Sequence, residues 1–298
     1  MRPSAGERVA QLLLALLKAL CYLALFLGAQ VLVMLPVAIA SIIRSAIEGT
    51  VVDQEALTQL LVEQSMAFSL IANMLTLFIV MAFYLIRRKR FSQALWLRRV
   101  DGPTLWAGAS LAPALYLAVS MVLLVLPESW MESYNEASSG ITSGGVVGVL
   151  AVVAAAPIVE EVIFRGLIMT RLNQAVPGWL AVALSAVIFG ACHGDPVWFG
   201  YAFPLGLVFG FIDLRAGSIW PSILAHMAFN SIGQVLDVLP DSDEAVLGFF
   251  LALLASAVIL PILDRRGIKA LFRRNPKAAP GQSLPTTPGV YEFDPWET

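Results

Sequence analysis

Long apolar runs separated by short polar or charged turns extend over most of the chain. A helix that spans a membrane needs about 20 mostly apolar residues, and eight runs approach or exceed this length. They lie at residues 11–40, 66–86, 104–126, 146–171, 178–193, 197–214, 217–238 and 246–263. The pattern therefore predicts an all-α, polytopic membrane bundle of about eight transmembrane helices. Pro36 is expected to kink or end the first helix, and residues 48–63 are expected to form an amphipathic helix outside the membrane.

The composition supports the same class of protein. Of the 298 residues, 58% are hydrophobic and 13% are charged, whereas a soluble domain carries about 25% charged residues. So few charges cannot cover a surface in water, and lipid must be the solvent for most of the chain. The net charge is -2 without a basic stripe, and nucleic acid is therefore not an expected partner.

The positions of Lys and Arg in the loops predict the orientation. With eight spans, nearly all of them fall on one side, between the second and third spans, at the end of the fourth, after the sixth and after the last. Cytoplasmic loops carry such an excess of Lys and Arg. Both termini are therefore predicted to be cytoplasmic, and the protein is predicted to be a multi-pass protein of the plasma (inner) membrane.

The chain divides into three segments. Residues 1–140 hold the first three spans, residues 141–265 hold spans four to eight with most of the buried polar residues, and residues 266–298 follow the last span. From about residue 275 the chain is rich in Pro, Gly and Thr. Such a sequence cannot bury a core, and the end of the chain is predicted to be a disordered cytosolic tail.

Two adjacent glutamates in the fourth span are the first candidates for chemistry. A charged residue inside a membrane costs about 2.5 to 3.5 kcal/mol on insertion scales and needs an explanation. Glu160 and Glu161 point about 100° apart on a helix, so they cannot share one role. Arg165 lies four residues after Glu161, a spacing that favours an ion pair. This would leave Glu160 free to act as a general base or acid.

Both histidines of the chain also lie in apolar runs. His193 ends the fifth span, and His226 and Asn230 share one face of the seventh. At a rise of about 1.5 Å per residue, Glu160 and His193 reach nearly the same depth, and His226 enters from the same side. These groups are predicted to converge inside the bilayer, nearer the cytosol.

Three further features of the sequence favour structural roles. Asp213 and Arg215 are expected to form a pair at the membrane boundary. Gly206 and Gly210 have the small-xxx-small spacing that suits close helix packing, and Cys192 is expected to pack in the core.

Three motifs in order resemble those of the CAAX protease and bacteriocin-processing (CPBP) family, also called Abi, which includes the type II CAAX prenyl endopeptidases. The stretch from 214 to 226 is similar to the usual lead into the third motif, and the resemblance covers about residues 145–238. The motifs are Glu160-Glu161-xxx-Arg165, Phe189-xxx-His193 and His226-xxx-Asn230.

The resemblance implies an intramembrane endopeptidase with its site open to the cytosol. It implies that Glu160 and His193 activate a water molecule, while His226 and Asn230 stabilise the oxyanion of the tetrahedral intermediate. Its partners would be membrane lipid and a peptide or protein substrate, including membrane-associated or lipidated proteins.

The metal question stays open at this point. The family has also been described as metal-dependent, and Glu160, His193 and His226 together are a permissible catalytic zinc set. Against zinc, the chain has no His-Glu-x-x-His pair, and Asn is a poor zinc ligand. A metal-independent, glutamate-type site is preferred.

Two other classes of function compete with the peptidase. A scaffold, regulator or immunity-type protein could use the same cavity without proteolysis. A proton-coupled transporter would also carry intramembrane Glu and His, but its acidic groups would be spread through both leaflets.

Overall fold

The computed structural model describes residues 5–89, 91–142 and 145–272, and the apolar runs form helices there. The predicted tail after residue 275 lies outside the described residues. No strand occurs in the described ranges. The helices are α1 (Ala5–Glu48), α2 (Gln54–Glu63), α3 (Ser65–Ile86), α4 (Phe91–Ala94), α5 (Gly102–Leu124), α6 (Glu128–Thr142), α7 (Gly145–Ala175), α8 (Gly178–Ala191), α9 (Pro196–Ala216), α10 (Trp220–Asp237), α11 (Asp243–Leu263) and α12 (Arg265–Phe272).

Each of the eight apolar runs corresponds to a helix, which confirms the all-α polytopic bundle. Six helices are long and apolar enough to cross a membrane, namely α1, α3, α5, α7, α9 and α11. The 14-residue α8 is shorter, and α10 has 18 residues but is not among the six. The outer faces of α1 and α11 expose large apolar side chains such as Leu13, Leu20 and Leu251, as helices that face lipid do.

Two details near the N-terminus bear on the sequence predictions. Helix α1 does not end at Pro36 but continues to Glu48. The expected amphipathic segment is α2, whose N-cap Asp53 accepts a hydrogen bond from the backbone N–H of Ala56 at 3.0 Å. This cap satisfies one of the free N–H groups at the helix start.

Helix α7 is the centre of the bundle and departs from regular α geometry. It contains two π-helical stretches, Leu150–Ala155 and Glu161–Met169. Such stretches are rare and occur frequently at functional sites. All nine residues of the second stretch are buried. Helices α1, α3, α8, α9 and α10 pack around α7, so its polar side chains are surrounded by protein rather than lipid.

Glycines allow the helices around α7 to approach closely. A Cβ atom on Gly206 would lie 3.0 Å from that of Ala186, and one on Gly210 would lie 2.9 Å from Val182 Cγ1. The close packing predicted for this pair is therefore confirmed, with α8 as the partner of α9. Likewise, a Cβ atom on Gly108 in α5 would overlap the carbonyl oxygen of Pro221 in α10.

We expect Gly108→Ala to destabilise the protein by about 1–3 kcal/mol, because the added methyl group pushes α10 away from α5. The readout is the thermal unfolding midpoint in detergent. Gly248→Ala is the matched control, since nothing lies within 4 Å of a Cβ atom at that position in α11. An unchanged midpoint for Gly108→Ala would contradict the close contact of these two helices.

Candidate active site

The ion pair expected from the four-residue spacing is present at the start of the second π-helical stretch. Arg165 Nη1 lies 3.2 Å from Glu161 Oε1, and both side chains are buried. The guanidinium also donates to the carbonyl oxygen of Gly206 at 3.4 Å. Its carbon lies 4.3 Å from the ring centroid of Phe189 and 5.7 Å from that of Phe209. Arg165 is therefore held by α7, α8 and α9 together.

His226 lies between the two glutamates. Its Nδ1 is 2.9 Å from Glu161 Oε1, and its Nε2 is 3.8 Å from Glu160 Oε2. Glu161 is thus more than the partner of Arg165, because it also holds the imidazole. The Glu160 side chain is 18% exposed, whereas that of Glu161 is fully enclosed. Adjacent in sequence, the two carboxylates differ in their access to a substrate.

The partner of Nδ1 determines where the protons of His226 lie. An ionised carboxylate only accepts hydrogen bonds, so the nitrogen beside Glu161 must carry the proton. In the neutral imidazole, Nε2 then has a free lone pair. In the imidazolium form both nitrogens donate, and Nε2–H is directed towards the side of Glu160.

Asn230 has a structural partner that its motif does not reveal. Its Nδ2 donates to the carbonyl oxygen of Val152 at 2.8 Å. In this first π-helical stretch the N–H of Ala156 bonds to Ala151 O, five residues earlier. By the same spacing Val152 O would need the N–H of Pro157, which proline lacks. Asn230 therefore satisfies a carbonyl group that lacks a backbone donor, and the second N–H of its amide is left for a ligand.

His193 ends α8 and contacts aromatic rings rather than a carboxylate. Its Nδ1 lies 2.9 Å from the carbonyl oxygen of Phe189, so this nitrogen carries the proton. The ring packs against Phe189 and Trp198, with centroids 5.0 and 5.8 Å apart. Within the described ranges, no hydrogen bond or ion pair joins His193 to Glu160.

Phe189 connects the separate parts of the site. Its ring contacts the guanidinium of Arg165, the ring of His193 and, with a centroid distance of 6.0 Å, the ring of His226. The aromatic residue of the second motif thus packs between residues of all three motifs.

The residues present do not form a zinc site in this arrangement. In the part of the chain that the structure describes, no three His, Cys, Asp or Glu side chains are grouped to hold a metal ion. The zinc set of Glu160, His193 and His226 is therefore not assembled.

Asp213 is a member of the buried cluster that the sequence analysis missed. The expected boundary pair with Arg215 is wrong, because the Arg215 guanidinium lies over the Phe211 ring at 5.1 Å and Asp213 is fully buried. Its Oδ2 accepts a hydrogen bond from Ser222 Oγ at 2.7 Å. The charges of Glu161 and Arg165 act on its carboxyl group.

One feature of the sequence, the glycine at position 217, could have predicted that Asp213 lies near the site. Gly217 has a φ of 67°, a conformation that favours glycine, and at this residue the chain turns from α9 into α10. Ser222 then lies one helical turn before His226 on the same face. A turn at Gly217 brings Asp213 back towards that face.

Comparisons with known proteins cover this region of the chain. Residues 142–232 match the family described as Type II CAAX prenyl endopeptidase Rce1-like. The curated protein "Putative membrane peptidase YdiL" of Bacillus subtilis (strain 168) is 33% identical over 84 residues. The aligned segment is 28% of this chain and 34% of the relative, so the chain spans about a third of the relative's length. No solved structure matches the chain at a significant level.

We expect Arg165→Ala to lower the stability by about 3–5 kcal/mol, because it leaves the carboxylate of Glu161 buried without its cation. The thermal unfolding midpoint in detergent measures this loss. Arg44→Ala is the matched control, since Arg44 and Glu48 form an ion pair of the same sequence spacing in an exposed position, and its midpoint should not change. An Arg165→Ala protein as stable as wild type would refute the structural role of the pair.

A second substitution tests the bond between α10 and the first π-helical stretch. Asn230→Ala should cost about 1–3 kcal/mol, because the Val152 carbonyl loses its donor. Ser231→Ala is the neighbouring control, since Ser231 Oγ donates only to Met227 O within its own helix. Equal unfolding midpoints for the two variants would contradict this role of Asn230.

Proposed function

We propose that the chain is an intramembrane endopeptidase that hydrolyses a peptide bond with a glutamate-activated water molecule, since residues 142–232 match the Type II CAAX prenyl endopeptidase Rce1-like family. The observation that carries this proposal is the position of His226 between a buried carboxylate and a partly exposed one. This arrangement joins a base and a hydrogen-bond donor inside the bundle, the two groups that peptide hydrolysis needs.

Glu160 is the general base of the proposed reaction. It is the more accessible of the two carboxylates, and its neighbour Glu161 is already committed to Arg165 and His226. A water molecule beside Glu160 can give up a proton to the carboxylate as its oxygen attacks the carbonyl carbon of the substrate. The same group then returns the proton to the leaving amine.

His226 and Asn230 provide the oxyanion site. Glu161 fixes the imidazole through Nδ1, so that Nε2–H of the imidazolium can donate to the developing negative charge. The amide of Asn230 has one N–H left beyond the bond to Val152, and it lies one turn along the same face of α10. Donors that are fixed before the reaction stabilise such a charge strongly where water is excluded.

His193 is the fourth participant. With its proton on Nδ1, the lone pair of Nε2 can accept a hydrogen bond from the attacking water molecule. The distance to Glu160 is bridged by substrate and water, since catalytic hydrogen bonds tighten when the substrate is bound. The substrate is a peptide or protein, including membrane-associated or lipidated chains, and the site faces the cytosolic side of the inner membrane.

We expect Glu160→Gln to lower peptide cleavage by about a hundredfold or more, because the amide cannot accept the proton of the water molecule. Cleavage of a fluorogenic peptide library by the purified protein is the assay, with and without a zinc chelator. Glu244→Gln, an exposed position at the start of α11, is the control and should cleave as wild type does.

The outcomes separate the competing functions. Loss in Glu160→Gln with activity surviving the chelator supports the glutamate-type peptidase. Unchanged turnover in a well-folded Glu160→Gln protein would remove this residue from the mechanism. Biological activity that is retained in this variant without any cleavage would replace the peptidase with a scaffold or regulator.

A further inference from the structure

The buried charges of the site form pairs with one exception. Glu161 is paired with Arg165 and Glu160 with His226. Asp213 is fully buried in α9, and its hydrogen-bond partner is the neutral hydroxyl group of Ser222. An ionised Asp213 would therefore add an uncompensated negative charge inside the membrane, which is strongly destabilising.

The basic residues near Asp213 are engaged elsewhere. On its own helix, Arg215 lies over the Phe211 ring. Helix α12 packs against α9, but its basic side chains are exposed; these are Arg265, Arg266 and Lys269. Helix α8, which also packs against α9, contains no titratable residue between Gly178 and Ala191.

Helices α5 and α6 also pack against α9, and neither contains a Lys, Arg or His residue. Helices α7 and α10 present both carboxylates and cations. From α7, the charges of Glu161 and Arg165 reach Asp213, and Arg165 is bonded to Glu161 and to Gly206 O. From α10 come Ser222 and, one turn later, His226, whose Nδ1 is directed to Glu161. Among the described residues no cation forms an ion pair with Asp213.

Two buried carboxyl oxygen atoms indicate that one of the two carboxyl groups carries a proton. Glu161 Oε2 and Asp213 Oδ1 are both buried, and neither has a hydrogen-bond partner among the described residues. Two carboxylates can only accept, so both atoms would remain unsatisfied. A buried polar group without a partner is destabilising. One proton on Asp213 turns an acceptor into a donor and removes the excess charge.

We propose that Asp213 holds a proton at neutral pH and donates it in a hydrogen bond to Glu161, which makes Asp213 a positioning residue for the carboxylate that fixes His226. The Ser222 hydroxyl group has one proton and two acceptors, Asp213 Oδ2 at 2.7 Å and the Ile219 carbonyl oxygen at 3.0 Å. In the proposed arrangement it donates to the closer one, which leaves Oδ1 of Asp213 to carry the proton. Only the kinetic part of this inference rests on the proposed function.

Infrared spectroscopy of the purified full chain tests the proton directly. A protonated carboxyl group has a C=O stretch that is separate from the carboxylate bands and shifts in D₂O. We expect this band at neutral pH in wild type, its loss in Asp213→Asn, and no change in Asp241→Asn, an exposed control. A spectrum in which Asp213→Asn removes a carboxylate band instead would overturn the proposal.

Ser222→Ala keeps the test decisive if Asp213→Asn fails to fold. The hydroxyl group of Ser222 donates to the carboxyl group of Asp213, so its removal should shift the C=O band to higher frequency without abolishing it. A band that does not move would show that it belongs to another residue and would refute the assignment.

Cleavage rates give the positioning readout. Asp213→Ala should lower turnover by up to about a hundredfold, because Glu161 and His226 lose their fixed geometry. Asp213→Asn should restore most of it, since its amide can donate to Glu161 and its carbonyl can accept from Ser222. Equal defects in the two variants would contradict the role of the donated hydrogen bond. If no protein cleaves while the infrared band behaves as expected, the proposed function fails and the proton on Asp213 stands.

Discussion

A charge inside a membrane protein is stable only where an opposite charge or several donors surround it, and Glu161 is the residue on which this constraint acts most strongly. Its carboxylate is fully enclosed and contacts Arg165 from its own helix and His226 from α10. Arg165 in turn needs the carbonyl oxygen of Gly206 and the rings of Phe189 and Phe209. Neutralising one buried carboxylate therefore fixes the relative positions of α7, α8, α9 and α10.

The π-helical geometry of α7 links catalysis to the fold in a second way. The first stretch leaves the carbonyl of Val152 facing Pro157, which has no N–H group, and Asn230 satisfies that carbonyl. The second stretch begins at Glu161, directly after Glu160. The irregular backbone thus occurs where the polar residues enter the bundle. Asn230, which would serve the proposed reaction, also provides a hydrogen-bond donor for a backbone carbonyl of α7. Its substitution is therefore expected to affect stability as well as rate.

The sequence predicted the features that depend on local spacing. Run length gave the eight helices, and four-residue spacing gave the ion pair of Glu161 and Arg165. The rise per residue predicted how deep each side chain lies in the membrane, but not the direction in which it points around its helix. It therefore placed His193 and Glu160 at nearly equal depth but could not foresee that His193 packs against aromatic rings or that His226 reaches Glu161. Asp213 was missed because the turn at Gly217 brings it to α10, a contact that no periodicity within α9 encodes.

Unequal burial explains how two adjacent carboxylates can have different roles. Glu161 is enclosed, and its ion pair and hydrogen bond hold it in one state. Glu160 is 18% exposed and lies 3.8 Å from His226 Nε2, too far for a hydrogen bond. Its side chain is therefore accessible to a water molecule. In the proposed reaction a base must exchange protons, whereas an anchor must not, and a single helix can supply both because consecutive residues point about 100° apart. The proposal for Asp213 follows the same reasoning, since a neutral acid that donates to Glu161 would strengthen the anchor without adding a charge that competes for His226.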